Sequence, residues 1–135
     1  MPSHSIRQAQ VQDSDEIARL AGQLGYPVLG DMMRLRLQRL LASSNDVIFV
    51  AELPGGGLVG WIHGVLSQFL ESDLHVEIGG LVVDGRFHRQ GIGHGLVQRV
   101  EAWAAGQGVL HASVRCRTTR AGAHLFYESL GYKNK

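Results

Sequence analysis

From Glu77 to Ala104 the chain reads EIGGLVVDGRFHRQGIGHGLVQRVEAWA, and the fold turns on how this stretch is parsed. The β-branched run around Val76, Ile78, Val82 and Val83 suggests a strand from about Leu74 to Val83. Leu96, Val97, Val100, Trp103 and Ala104 recur at helical spacing, which predicts a helix beginning near His94. Between them lies a loop of arginine, histidine and glycine. A helix start leaves its first N–H groups unpaired and carries partial positive charge, so a glycine-rich lead-in exposes donors to an anion such as a pyrophosphate. Gly91, Gly93 and Gly95 permit close approach, and Arg86 and Arg89 add charge. Two familiar phosphate loops are excluded by spacing. The dinucleotide fingerprint needs G-x-G-x-x-G, whereas these glycines give G-x-G-x-G, and GIGHG lacks the G-K-[ST] ending of a Walker loop.

Working outward, VIFVAEL and LVGWIHGVL flank PGGG at Pro54 to Gly57, the pattern of an antiparallel hairpin. Upstream, SIRQAQ reads as a short strand. Asp13 is the expected cap of a first helix, with Glu16 in the capping-box position. Ile17, Leu20, Ala21 and Leu24 share its apolar face, and Gly25 ends it. A second helix carries Met33, Leu37, Leu40 and Leu41 before SSND stops it. Downstream, VLHASVRC reads as a strand, and a last helix from about Thr119 carries Ala123, Phe126, Tyr127 and Leu130 before Gly131. The order is β-α-α-β-β-β-α-β-α, an α/β chain with a mixed sheet. No linker or repeat divides it, so residues 1–135 are expected to form a single domain.

Composition narrows the function. Thirteen Lys plus Arg against twelve Asp plus Glu leave a formal charge of +1, without the basic surplus that drives binding to nucleic acid. No apolar run approaches the roughly 18 residues of a membrane span. The lone Cys116 cannot close an intramolecular disulfide, and MPSHSIRQAQ lacks the form of a secretory leader, so a soluble cytoplasmic protein is expected. His63, His75, His111 and His124 are scattered without paired ligand spacing, which argues against a metal and for packing or surface roles. Cys116 reads as an inert strand thiol.

With its LVVD strand end, the window His88-Arg89-Gln90-Gly91-Ile92-Gly93 resembles the acetyl-coenzyme A motif Q/R-x-x-G-x-G/A of the GNAT superfamily of N-acetyltransferases. His88 stands where the motif has Gln or Arg, with Arg89 beside it. AHLFYESLGY resembles the family's C-terminal pattern, and the element order is also the family's. The resemblance implies a mixed, mostly antiparallel twisted sheet flanked by helices, with the usual final strand shortened or missing. It implies acetyl-CoA as cosubstrate and no metal, its phosphates held by Arg89, Gln90, Gly91, Gly93, His94 and Gly95. The pantetheine arm is then expected against the backbone of Leu81, Val82 and Val83, beside a strand bulged at Gly79 and Gly80. The Leu81 N–H would polarise the thioester carbonyl.

Amine acetylation needs a base, because an alkylammonium with a pKa of about 10 has no lone pair to attack with, and the departing thiolate gains from a proton donor. Glu77 precedes Gly91 by fourteen residues, the spacing at which the histone-acetyltransferase branch carries its catalytic glutamate. It is the candidate base, directly or through water; a solvated strand-edge carboxylate is the alternative. Tyr127 matches the family's tyrosine at the cofactor sulfur and is the candidate acid, with core packing as the alternative. The acceptor expected from the resemblance is a primary amine of a small molecule. A peptide or protein amine, or an acyl-CoA sensor without turnover, remains open. Glu71 and Asp73 are read as bordering the acceptor site, or as surface residues. Only Lys133 to Lys135 follow Tyr132, so the edge along VLHASVRC is expected to be covered in a homodimer or to open readily.

Overall fold

The computed structural model describes residues 4–23, 25, 27–71, 73–87 and 91–109. Four strands and three helices follow the expected order: β1 (Ser5–Gln8), α1 (Ser14–Gln23), α2 (Gly30–Leu41), β2 (Asp46–Glu52), β3 (Leu58–Ser67), β4 (His75–Val83) and α3 (Ile92–Gly106). The architecture is α/β, with the strands in the order β1-β2-β3-β4 and every pairing antiparallel. The expected strand at VLHASVRC beyond Val109, the last helix, Tyr127, Cys116, His111 and His124 lie outside the described residues. So do His88, Arg89 and Gln90.

The β2–β3 hairpin closes as its sequence suggests. Leu53 N–H donates to the Gly57 carbonyl and Gly56 N–H to the Leu53 carbonyl, both at 2.8 Å. Gly56 has φ of +101°, where a side chain would be strained.

Alternation along the strands produces two apolar faces. Val47, Phe49, Ala51, Ile62, Val76 and Ile78 pack against Ile92, Leu96, Val97, Val100 and Ala104 of α3. On the other side, Ile48, Val50 and Val82 pack with Ile17 and Leu20 of α1 and Leu37 of α2. Close approach of α3 depends on two positions in β3. A Cβ on Gly64 would lie 2.7 Å from Val100, and one on Gly60 would lie 3.2 Å from both Ile92 and Leu96. The glycines let the first turn of α3 settle directly on the sheet, which sets the height of the loop before it.

Three details differ from the sequence-based expectation. The α3 helix starts at Ile92, two residues before His94, because Gly91 adopts the left-handed conformation (φ +79°, ψ 5°) as its N-cap. Leu41 is exposed, since the buried stripe of α2 is completed by Leu37 with the half-buried Met33 and Leu40. The capping box is displaced: Asp13 ends a 3-10 turn and accepts from Gln10 N–H at 2.7 Å and from Arg7 at 2.9 Å. Glu16 pairs instead with Arg19 at 2.7 Å and accepts from Leu58 N–H at 3.3 Å, tying α1 to the start of β3.

Candidate active site

The central strand of the site is β4, and its geometry follows from one extra residue. His63 pairs with Gly80 while the next residue, Gly64, pairs with Ile78, so Gly79 is a bulge. The insertion reverses the alternation of side chains. Val76 and Ile78 before it, and Leu81 and Val83 after it, all face α3; an unbulged strand would have turned the second pair away.

Residues on the opposite face of β4 are His75 and Glu77. Glu77 is 4% exposed, and its Oε1 lies 3.1 Å from His75 Nε2. The other ring nitrogen, Nδ1, lies 2.9 Å from the Asp73 carbonyl oxygen. A carbonyl can only accept, so Nδ1 carries a proton. Nε2 then faces the carboxyl group, placed to share a proton that Glu77 takes up. The Phe69 ring packs against His75 with centroids 5.8 Å apart, closing one side of the pair.

The same sheet face carries a second pair. His63 Nε2 on β3 lies 2.7 Å from Asp46 Oδ1 on β2. His63 Nδ1 lies over the bulge: a Cβ on Gly79 would be 3.0 Å from it, and a Cβ on Gly80 would be 3.0 Å from the Trp61 ring. Along the sequence His63 and His75 look scattered. Their convergence with Asp46 and Glu77 is created by strand pairing, and the signal available beforehand was their shared parity with Trp61 and with Glu77 along β3 and β4. Among the described residues no group of three or more His, Cys, Asp or Glu is arranged to hold a metal ion.

At its C-terminal end β4 is still paired with β3. Asp84 N–H donates to the Val59 carbonyl at 2.8 Å, and N–H directions alternate along a strand. Val82 therefore directs its groups to β3, where it pairs with Trp61. Leu81 and Val83 direct theirs away from β3. Of the three residues expected to meet pantetheine through their backbones, Val82 is consumed in the sheet because its N–H and C=O complete that ladder.

Beyond Val83 the chain is held by Asp84, the last residue of LVVD. It is 1% exposed and accepts from the Arg86 side chain at 3.0 Å, the Arg86 N–H at 3.0 Å and Arg19 of α1 at 3.5 Å. The Arg86 hydrogen bonds hold its carboxyl far below the usual range against the opposing effect of burial, with Arg19 adding to the shift. Arg86, expected to supply charge to the loop, is thus committed to Asp84. Gly91 follows, and its carbonyl accepts from Gly95 N–H at 3.0 Å. The N–H groups of Ile92, Gly93 and His94 stand in the first turn, where a helix provides no acceptor. That turn contains no acidic residue. Gly93 is buried, Gly95 half-buried, and Gly91 and His94 exposed.

A bulged strand leading into a glycine-capped helix is the arrangement that the sequence resemblance implied. The sequence model of the acetyltransferase (GNAT) family matches residues 14–132. The chain belongs to this family. It is accordingly an acetyl-CoA-dependent N-acetyltransferase by class. No curated protein matches the sequence. Solved structures with the same fold include the aminoglycoside antibiotic 6'-N-acetyltransferase AAC(6')-Ih from Acinetobacter baumannii, at TM-score 0.86 and 17% identity over 97% of this chain and 91% of that one. Glucosamine-6-phosphate N-acetyltransferase from Arabidopsis thaliana superposes at 0.81 with 22% identity, over 98% and 93% of the two chains. The aminoglycoside N-acetyltransferase AAC(6')-Iy, solved with CoA, gives 0.86 and 18% over 98% and 90%. At these identities the likeness is one of fold. No helix among the described residues of this acetyltransferase is long and apolar enough to cross a membrane.

Proposed function

We propose that the protein is a single acyltransferase domain that moves the acetyl group of acetyl-CoA directly onto a primary amine of a small molecule. The observation that carries this reading is the buried Glu77, bonded to His75 on the bulged strand whose far end turns the Leu81 backbone away from β3. Glu77 takes a proton from the bound ammonium, directly or through one water, and His75 holds the carboxyl group and shares that proton. The Leu81 N–H, pointing out of the sheet, polarises the thioester carbonyl as charge develops on its oxygen. Val83 offers the next backbone contact to pantetheine. The pyrophosphate rests on the first turn of α3, where Gly91, Gly93, His94 and Gly95 offer backbone donors and glycine avoids obstruction. Arg89 and Gln90 are proposed as its side-chain contacts, and Tyr127 as the proton donor to the departing thiolate. These three lie outside the described residues.

A small acceptor is supported by the fold neighbours, which include an aminoglycoside and a glucosamine-6-phosphate N-acetyltransferase. It is also supported by exposed apolar side chains in the β3–β4 loop, Phe69, Leu70 and Leu74, with Phe69 against His75. Such a rim suits the carbon skeleton of a ligand whose amine reaches the carboxylate.

Thiol release from acetyl-CoA, followed across a panel of monoamines, diamines, aminosugars and peptides, tests the reading. Turnover with a small amine, abolished by Glu77→Gln, is the expected result. Tight acetyl-CoA binding with silence on every acceptor would leave a sensor in place of an enzyme.

A further inference from the structure

On the face of the sheet opposite α3, the reaction proposed above uses one of two histidine–carboxylate pairs. The other, His63 with Asp46, has no assigned task, and its geometry suits proton transfer. Asp46 Oδ1 lies 2.7 Å from His63 Nε2. An ionised carboxylate only accepts, so in the neutral ring Nε2 carries the proton and Nδ1 holds the lone pair. That lone-pair nitrogen is the atom facing the bulge, 3.0 Å from where a Gly79 Cβ would stand.

The two glycines of the bulge matter here. Gly79 and Gly80 are partly exposed and carry no side chains, so nothing of β4 rises between the His63 ring and the edge where Leu81 turns its N–H outward. Trp61 lies over Gly80 and flanks this step. Glu77 stands opposite Val65, two residues along β3 from His63, a diagonal relation that separates Cα atoms by roughly 7–8 Å. Asp46, His75 and Glu77 are the nearest titratable groups on the described sheet face with His63; Arg7 of β1 and Glu52 of β2 share that face farther off, paired with each other and, through Arg7, with Asp13.

We propose that His63, oriented by Asp46, is a second proton acceptor of the active site, working over the bulge at Gly79, where β4 itself carries no side chain and Trp61 walls the Gly80 side. The inference rests on the acetyl-transfer reading above. Chemistry gives it a task, because an ammonium loses two protons on its way to an amide. Glu77 takes the first. The nitrogen lone pair then forms the C–N bond while the carbonyl π electrons move to oxygen, leaving a nitrogen that is again cationic. His63 Nδ1 takes the second proton, becoming imidazolium with its Nε2–H still on Asp46. The carbonyl re-forms as the C–S bond breaks, and the thiolate receives a proton from Tyr127, which regains one from water. Two protons have left nitrogen, one has reached sulfur by way of the solvent, and one net proton is released.

The test compares wild type, His63→Gln, Asp46→Asn and Gly79→Ala. It uses the amine that wild type acetylates best, over pH 6 to 9, with thermal melts to establish that each variant is folded. His63→Gln should lower kcat about 100-fold, the low end of acid–base contributions, with KM for acetyl-CoA within about twofold. Asp46→Asn keeps the ring but not its tautomer and should lose about 10-fold with a changed pH–rate profile. Gly79→Ala retains both residues and displaces the ring, so it should also lose kcat. Nitrogen-15 spectra of wild-type imidazoles should show His63 protonated at Nε2 and perturbed when acetyl-CoA is added. A folded His63→Gln enzyme with kcat within threefold of wild type at every pH, or a ring protonated at Nδ1 alone, overturns the role of His63. Wild-type silence on every amine overturns the acetyl-transfer reading itself, and this role falls with it.

Discussion

His75 and Glu77 stand two residues apart on β4 with Nε2 and Oε1 separated by 3.1 Å, and the Asp73 carbonyl holds the far side of the imidazole at 2.9 Å. The carboxyl group that faces the site is therefore oriented from within its own strand. Replacing Glu77 with Gln removes the proposed base while keeping its shape, so kcat at neutral pH should fall by about 100-fold or more. The deficit should shrink as pH approaches the acceptor's own pKa of about 10, where free amine becomes plentiful. His75→Asn should cost less, and the double variant should be no worse than Glu77→Gln alone, because the two residues act through one proton. An unchanged pH–rate profile for Glu77→Gln would remove that residue from the mechanism.

The first turn of α3 is open to an anion because nothing acidic stands in it and its cap is a left-handed glycine. Gly93→Asp introduces a side chain and a negative charge at a buried position beside the expected pyrophosphate. Affinity for CoA, measured by calorimetry, should drop at least about tenfold, or about 1.4 kcal/mol. Gly91→Ala should weaken binding less and destabilise the fold by about 1–2 kcal/mol, the penalty of a Cβ in left-handed backbone. Equal CoA affinity in wild type and Gly93→Asp would move the phosphate site elsewhere.

Asp84 joins the end of β4 to Arg86 in the following turn and to Arg19 of α1. Its carboxyl group is held far below its ordinary value of 3.8, so the folded state keeps it ionised where the unfolded chain would bind a proton. The stabilisation it confers is complete above that ordinary value and is lost as pH falls through the depressed one. Asp84→Asn should therefore cost about 1–3 kcal/mol at pH 7, the range for hydrogen bonds to a charged group, with Arg86 largely solvated. Melts repeated toward pH 2 should show the gap between variant and wild type narrowing. A gap that stays constant with pH would mean the carboxylate charge contributes nothing.

Packing of α3 on the sheet makes a separate demand at Gly64. A methyl group there would meet Val100 at 2.7 Å, and neither β3 nor a core valine can yield freely. Gly64→Ala should destabilise by about 1–3 kcal/mol through overpacking, read as a lower denaturant midpoint. Double replacement with Val100→Ala should recover part of the loss. Full stability in Gly64→Ala alone would show that α3 lifts from the sheet without penalty.

The sequence by itself determined the order of elements, the hairpin at Pro54–Gly57, the glycine-led start of α3 and the family, because each is written in neighbouring residues: periodicity, turn chemistry and a short motif. It also named Glu77 and suggested a distorted strand at Gly79 and Gly80, since glycine pairs inside a strand have few other uses. Only the tertiary structure decided which face Glu77 occupies, that Val82 spends its backbone on β3, and that Asp84 is bound by an arginine 65 residues earlier. Asp46, His63 and His75 looked unrelated along the chain. Strand pairing, offset by one residue at the bulge, brings them to the face of Glu77, and register over such separations is set by the packing of whole faces. Local sequence can encode a turn or a cap; the partner of a side chain on another strand is chosen by the sheet.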